Sequence, residues 1–544
     1  MKLINLCLII LNIFTVQSLV LAEQAPVAEN PTQKASLVKN QEEAEKKTSQ
    51  PTPEDIARFK KFAEADRLYL EGDKAAAARL YRQVKESWDL EKVAQDDEKT
   101  QKVFDDPADL SPAGKVYWRN YQQGKEQKLE SKIFSALKLL TNKEPEFIPG
   151  HIHYAKILQE YERETESLQV LDKAVNRYPN EPKLLKAKIN ADIAAEKWLD
   201  ASIAARQFAL FNPDLPETAE FTQLAAEYLE KYQSQLRSKM TWNAIGNAIA
   251  GTVGFALTGN LFGPISAVET TVMLLRGESA IGESTAKQAR KQLPLVESEE
   301  VANYVTQIGN KVAKASGRDE FKYEFDLVMS DELNAFALPG GKVFVNIGAI
   351  MKTNSEAELA GLLAHEVAHS ALSHGFQLAT QGNLTANVVQ YIPYVGSTAS
   401  SLIVLNYSRD MEKQADLFGT KTLVNAGYAA DGVRNLMVKL DQVNQEQDNP
   451  EPPAWLSSHP NSKERVRYME SLIVDRNLNR YAYEGVSRHQ EIKQLVTQRW
   501  KEYEQCVKKI EKEDNPDEVK QCADNYDQDQ KGKKVENAID QDTE

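Results

Sequence analysis

The sequence predicts a multidomain chain: an N-terminal all-α array of paired helices, then an α+β domain, then a helical C-terminal tail. Three observations carry this prediction. The length, 544 residues, corresponds to three or four domains and suffices for a buried core without a disulfide framework. Pro145, Pro179 and Pro213 recur at a step of 34 residues amid helical patterning. Between residues 291 and 475, strand-like runs are interleaved with amphipathic helical ones. Composition is that of a globular protein, 42% hydrophobic and 27% charged. The net charge of −14 excludes nucleic acid as the expected partner, because that surface must be basic to release counterions. A mean hydropathy of −0.51 argues against a multi-span membrane protein.

Residues 1–22 read as a signal peptide. Lys2 supplies a positive start, Leu3 to Val16 an apolar stretch, and Val20-Leu21-Ala22 a cleavage site. The alternative is an uncleaved anchor, since Leu3 to Ala22 carries no charge. Export to the periplasm of a Gram-negative-type cell is therefore expected. Residues 23–52, rich in Pro, Gln, Glu, Lys and Ala, read as a disordered linker. Cleavage would leave two cysteines, Cys506 and Cys522. In an oxidising compartment these can pair across a helical hairpin turned at Asn515-Pro516, the alternative being two free thiols.

Residues 53–235 read as helical repeats. Ile56, Phe59, Phe62 and Ala63 share a face, and Ala77, Leu80, Tyr81 and Val84 resume it after Gly72-Asp73. The 34-residue step aligns Ala136 with Val170 and Ala204, and Leu140 with Ala174 and Phe208. This pattern resembles the tetratricopeptide repeat, whose stacked helix pairs leave a concave groove for a peptide or partner. The bland reading is an irregular α-bundle. Residues 236–290 form an apolar, Gly-rich segment. Within it, 242–268 carries no charge, which points to close helix packing or membrane-surface contact more than to a span.

Residues 291–475 form the predicted α+β domain. Ser298 to Ala315 is an amphipathic helix, Tyr323 to Met329 and Lys342 to Ile347 are strands, and Leu338 to Gly341 is a turn. The segment Asn334 to Gly341 with Lys342 to Ile347 suggests an edge strand beside the cleft. Glu356 to His374 is a strong helix. The uncharged stretch Asn383 to Tyr407 reads as a lid or an ordinary helical connection, and a further helix runs from about Arg409 to Asn425. Residues 476–544 read as a charged helical region with an acidic tail.

The decisive motif is His365-Glu366-Val367-Ala368-His369. On a helix, i and i+4 share a face, so both imidazoles can reach one metal ion, with Glu366 beside them. The helix is apolar, and burying these groups would be costly without a compensating metal. Leu372 and Gly375 stand where a metzincin would have Gly and His. His374 falls off the ligand face and is expected to hydrogen-bond nearby. Glu412 and Asp416, four apart, can supply a third ligand and a carboxylate that fixes a histidine tautomer. The alternative is that both are merely solvated.

His365-Glu366-x-x-His369 followed by Glu412-x-x-x-Asp416 resembles the CAAX-prenyl-protease/HtpX family of zinc metallopeptidases. Asn334-Ala335-Phe336-Ala337-Leu338-Pro339-Gly340-Gly341 and Ser458-His459-Pro460 with Arg465 are similar to its flanking segments. The exported form with helical repeats is nearest the periplasmic BepA-like branch. The resemblance implies a gluzincin-type α+β domain holding one Zn2+ per chain on His365, His369 and Glu412, with Glu366 as general base and Asp416 supporting a ligand. His459 and Arg465 are candidate oxyanion donors. His459 could instead fill the fourth zinc position and hold the enzyme latent, or be structural before Pro460.

These residues support two functional readings. The first is an exported zinc metalloendopeptidase acting on misfolded or misassembled envelope proteins in extended conformation. Its repeats would recruit substrate or an outer-membrane assembly partner. The second is a repeat-based adaptor or chaperone whose protease domain is latent or inactive.

Overall fold

The computed structural model describes residues 52–85, 103–179, 181–245, 276–296, 298–380, 389–392, 400–403, 407–446, 459 and 462–513. The predicted signal, most of the linker, residues 246–275 of the apolar segment, and Cys522 with the acidic tail lie outside the described residues. Two compact units divide the chain, residues 1–60 and 61–544, and the second holds the sheet, its helices and the predicted metal-site residues. No helix among the described residues is long and apolar enough to cross a membrane.

Helices α1 (Pro53–Leu70) and α2 (Lys74–Val84) are followed by three further pairs: α3 (Pro112–Gln127) with α4 (Glu130–Lys143), α5 (Ile148–Glu160) with α6 (Glu164–Arg177), and α7 (Pro182–Ala194) with α8 (Trp198–Phe211). Helix α9 (Thr218–Ile245) closes the series. The period seen in the prolines is built into the backbone. Lys128, Glu162 and Glu196, each 34 residues from the next, adopt left-handed conformations (φ 54°, 57° and 53°) in the turn within each pair. The N–H of each following residue donates to a carbonyl five residues back: Leu129 to Gly124, Arg163 to Leu158 and Lys197 to Asp192, all at 2.8 Å. This is the Schellman closure of a helix C-terminus. Leu140, Ala174 and Phe208 are buried at matching positions.

The pair α1/α2, expected to open the array, is anchored elsewhere. The buried Asp66 carboxylate accepts the backbone N–H groups of Glu484 and Val486, both at 2.9 Å, and the Tyr81 hydroxyl donates to it at 2.6 Å. Lys85 pairs with Asp431 at 2.9 Å and Glu484 at 2.5 Å.

The α+β domain is built from α10 (Glu278–Gln292), α11 (Glu299–Ala315), β1 (Glu324–Val328), β2 (Ala335–Leu338), β3 (Lys342–Asn346), α12 (Ile347–Lys352), α13 (Glu356–Ala371) and α14 (His374–Thr380). It continues through β4 (Val389–Ile392), β5 (Ser400–Ile403), α15 (Arg409–Asn425), α16 (Gly432–Glu446), α17 (Ser462–Asp475) and α18 (Val486–Glu513). The sheet order is β1-β3-β2, with β1 parallel and β2 antiparallel to β3. Lys342 to Asn346 is therefore the central strand, buried at every position. The edges are β1 and β2, Ala335–Leu338 among them, and the residues expected as an edge at Lys342–Ile347 lie inside. Gly340 and Gly341, at φ 71° and 83°, make the predicted turn. Within the uncharged stretch, β4 and β5 pair antiparallel, so these residues are not a helical connection.

Helix α13 is buried at all 16 positions. Its polar residues, His365, Glu366 and His369 among them, are enclosed with its apolar ones. Ser355 caps it by accepting the Glu358 N–H at 3.2 Å. The helix stops earlier than expected: Ser373, at φ 59°, breaks it, and His374 begins α14. A Cβ on Gly361 would lie 2.6 Å from the backbone of Gly432 and Val433, so the absence of a side chain lets α16 approach.

Two expected boundaries divide a shared core. Ala286, Ala289 and Leu293, on α10 and its C-cap, pack against β-sheet residues including Phe344, although the sequence predicts a boundary at 290. Ile492, Val496, Tyr503 and Val507 of α18 belong to the main core with α11 and α13, although the sequence predicts that the domain ends at 475. Cys506 on the same helix is disulfide-bonded.

Gly361→Ala should destabilise the chain by about 1–3 kcal/mol, because the added methyl meets backbone that cannot rotate away. Urea unfolding of the full chain measures this, and wild-type stability would show that α16 can retreat freely.

Candidate metal centre

Three elements and one connecting residue deliver the site. Helix α13 carries His365, Glu366 and His369, α15 carries Glu412 and Asp416, α17 carries Arg465, and His459 enters from the connection before α17. His365 Nε2 lies 3.1 Å from His369 Nε2. Glu412 Oε2 is 3.5 Å from His365 Nε2, and its Oε1 is 3.4 Å from His369 Nε2. His459 Nδ1 is 2.7 Å from Glu412 Oε1 and 3.3 Å from His365 Nε2. The donor atoms of His365, His369, Glu412 and His459 all lie within 4.8 Å of one another, and all four residues are buried. Glu366 is fully buried, with Oε1 3.8 Å from His459 Nε2.

This donor set fits a metal ion. His365 and His369 each use the nitrogen facing away from the cluster for other partners. His365 Nδ1 lies 3.0 Å from Asp416 Oδ1, and His369 Nδ1 lies 3.1 Å from His374 Nδ1. With Nδ1–H donated outward, each Nε2 turns a lone pair toward the same point as the Glu412 carboxylate. Two imidazoles and a carboxylate are the ligands that zinc takes in catalytic sites.

Electrostatics follow from one guanidinium. Arg465 Nε and Nη2 each donate to Asp416 at 2.7 Å, and Nη1 lies 2.9 Å from Glu412 Oε2. Burial alone would push both carboxyls up. His459 and Arg465 outweigh it at Glu412 and hold that group well below the usual carboxylate range. Arg465 and His365 bring Asp416 down to about 2. Burial pushes His374 down to about 4, so it is neutral at pH 7. Burial also opposes a proton on His365, but Asp416 and Glu412 raise it to about 9. Proton and metal thus compete for that imidazole.

Arg465 donates to both carboxylates and to the His459 carbonyl, at 3.2 Å. The geometry makes it a clamp on α15, where it holds Asp416 and Glu412. Sequence reasoning missed three neighbours. The Tyr407 ring stacks on His369, with centroids 3.7 Å apart. The Tyr468 hydroxyl donates to Asp416. Gln414 Oε1 accepts from His374 Nε2 at 3.0 Å. Tyr407 had one signal: it ends the uncharged stretch just before the helix bearing Glu412. Tyr468 and Gln414 carried none, because their roles depend on which helices pack together.

The model of Peptidase family M48 matches residues 299–473. The mitochondrial metalloendopeptidase OMA1 of Schizosaccharomyces pombe is 28% identical over 191 residues, covering 32% of this chain and 54% of its own length. The beta-barrel assembly-enhancing protease of Yersinia pestis is 24% identical over 233 residues, covering 39% and 47% respectively. That of Escherichia coli strain K12 is 22% identical over 226 residues, covering 36% and 45%. The chain thus spans about half the length of the curated relatives it matches.

Replacing Arg465 by Met should cost about 3–5 kcal/mol at pH 7, because two buried carboxylates lose their counter-charge. Asp416 titrates low in the folded protein, so its stabilisation is complete above about pH 4 and lost as pH falls towards about 2. The deficit of Arg465→Met should accordingly shrink on acidification. Denaturant unfolding at stepped pH tests both the size and the sign.

Proposed function

We propose that residues 299–473, which match the model of Peptidase family M48, form a zinc metallopeptidase domain, and that the protein is an exported metalloendopeptidase that cleaves extended segments of envelope proteins. The observation that carries the reading is the convergence of His365 Nε2, His369 Nε2 and the Glu412 carboxylate beside the buried Glu366. His365, His369 and Glu412 would hold zinc. When bound, zinc supplies Lewis acidity, acidifying water and polarising a peptide carbonyl.

The chain's own residues supply the rest. Glu366 removes a proton from the attacking water and delivers it to the leaving amine, as a general base and then a general acid. Asp416 fixes the His365 tautomer, and Arg465 keeps Asp416 and Glu412 ionised. The edge strand β2 supports recognition of extended substrate by strand addition, which reads backbone more than side chains. Tyr407, whose hydroxyl lies 3.5 Å from the Ala337 carbonyl, connects that strand to the ligand histidine. His459 is the regulatory candidate. Its place in the four-residue donor set favours a fourth ligand that holds the site latent over a purely structural residue. The helix pairs stepping by 34 residues support the tetratricopeptide reading and a role in recruiting substrate or an outer-membrane assembly partner. The names of the two beta-barrel assembly-enhancing relatives support a role in envelope quality control. A complete donor set with Glu366 in place favours an enzyme over an inactive adaptor.

Purified full-length protein carrying His459→Ala should cleave casein, the wild type more slowly, and o-phenanthroline should abolish both activities. Glu366→Gln should lower kcat/KM by about 10²–10⁴-fold with zinc content unchanged. No chelator-sensitive cleavage by wild type or by His459→Ala would overturn the enzyme reading. Faster cleavage by His459→Ala supports latency, and a large loss supports direct participation in the reaction.

A further inference from the structure

We propose that Asn176, in the helical-pair region, is a positioning residue for the zinc ligand His369, acting through Gln414 and His374. The proposal rests on the reading of the site as a zinc centre. Four hydrogen bonds form one line. His369 Nδ1 meets His374 Nδ1 at 3.1 Å, and His374 Nε2 meets Gln414 Oε1 at 3.0 Å. Gln414 Nε2 donates to Asn176 Oδ1 at 3.0 Å, and Asn176 Nδ2 donates to Asp410 Oδ2 at 2.8 Å.

The donors and acceptors agree in direction along the whole line. An Asp410 carboxylate only accepts, so Asn176 must present its NH2 group there and its oxygen to Gln414. Gln414 then presents NH2 to Asn176 and oxygen to His374. That makes Nε2 of His374 the protonated nitrogen and leaves its Nδ1 as the acceptor. His369 must in turn donate from Nδ1, which frees Nε2 for the metal. One residue of α6 thus completes the tautomer assignment of a ligand on α13. His365 has its own partner in Asp416, so each ligand histidine is oriented separately.

The surroundings are built for this. The line borders a cavity of about 600 Å³ lined by Asn176, Asp410 and Gln414 together with Lys188, Lys197 and Gln207. Gln207 Nε2 donates to the Leu372 carbonyl at 3.1 Å, at the break that sets His374. Phe211 packs edge-on to Phe418 with ring centroids 5.3 Å apart. Lys421 Nζ donates to the Phe211 carbonyl at 2.9 Å, joining the same two regions away from the line.

The test measures zinc affinity of the full chain by competition with a chromophoric chelator, with far-UV circular dichroism to verify folding. Outer partners of metal-ligating histidines typically matter by about 10–100-fold, so Gln414→Leu should weaken zinc binding by about that factor. Asn176→Ala, one step further out, should weaken it by about three- to tenfold. Asn176→Asp sets two carboxylates against each other and should also weaken binding, whereas Asn176→Asp with Asp410→Asn restores one donor and one acceptor and should return affinity to within about twofold. Lys421→Ala should bind zinc as wild type does.

Unchanged affinity in both Gln414→Leu and Asn176→Ala overturns the proposal. So does an equal loss in Lys421→Ala, which would mean that docking alone matters. If Gln414→Leu fails to fold, the Asn176–Asp410 exchange decides: rescue supports the line, and its absence overturns it. A wild-type chain that binds no zinc overturns the zinc reading itself and this inference with it.

Discussion

The two α15 carboxylates of the site are arranged around the buried guanidinium of Arg465. Helix α13 is enclosed on all sides, and it brings two imidazoles and three carboxylates, Glu356, Glu358 and Glu366, into the interior. Helix α15 adds two more carboxylates, Glu412 and Asp416. An isolated buried charge would be prohibitively costly. Arg465 compensates both α15 carboxylates at once, bidentate on Asp416 and single on Glu412. A planar fork with five donors can do this, and a lysine could not. The positions of Asp416 and Glu412 are therefore held by ion pairing to Arg465.

Close backbone contacts make that arrangement reachable. Gly419 of α15 sits where a Cβ would lie 3.1 Å from the Ala364 carbonyl, so α15 can bring Glu412 up to the histidines of α13. On the other side, Gly361 lets α16 close against the same helix. The polar line through His374 and Gln414 then passes out of the domain towards Asn176. A helix this deeply packed is positioned by its neighbours more than by its own propensity.

Chemistry was more legible in the sequence than architecture. His365, Glu366 and His369 announce themselves because four residues bring a helix back to one face, and Glu412 with Asp416 repeats that spacing. The 34-residue step was readable from Pro145, Pro179 and Pro213, since each follows the C-cap of a second helix, at Glu144, Tyr178 and Asn212. The break at Ser373 was not readable, because neither Gly nor Pro marks it. Helix α18 reads in sequence as a charged outlying region. Its buried stripe of Ile492, Val496, Tyr503 and Val507 is spaced for one face, but lysines and glutamates mask it. Tyr407, Gln414 and Tyr468 act through contacts between distant elements, and a single chain read in order carries little trace of such contacts.

The anchoring of α1/α2 bears on how this chain reaches its native state. The bonds from Asp66 to the backbone of Glu484 and Val486 join positions 418 and 420 residues apart. Such contacts form late, because the loop they close must be organised first. During synthesis, an aspartate and a lysine meant for burial at the start of the chain must wait until nearly all of it has emerged. The early helix pair is thus held by residues far along the chain, and its native anchoring requires that Glu484 and Val486 have been made.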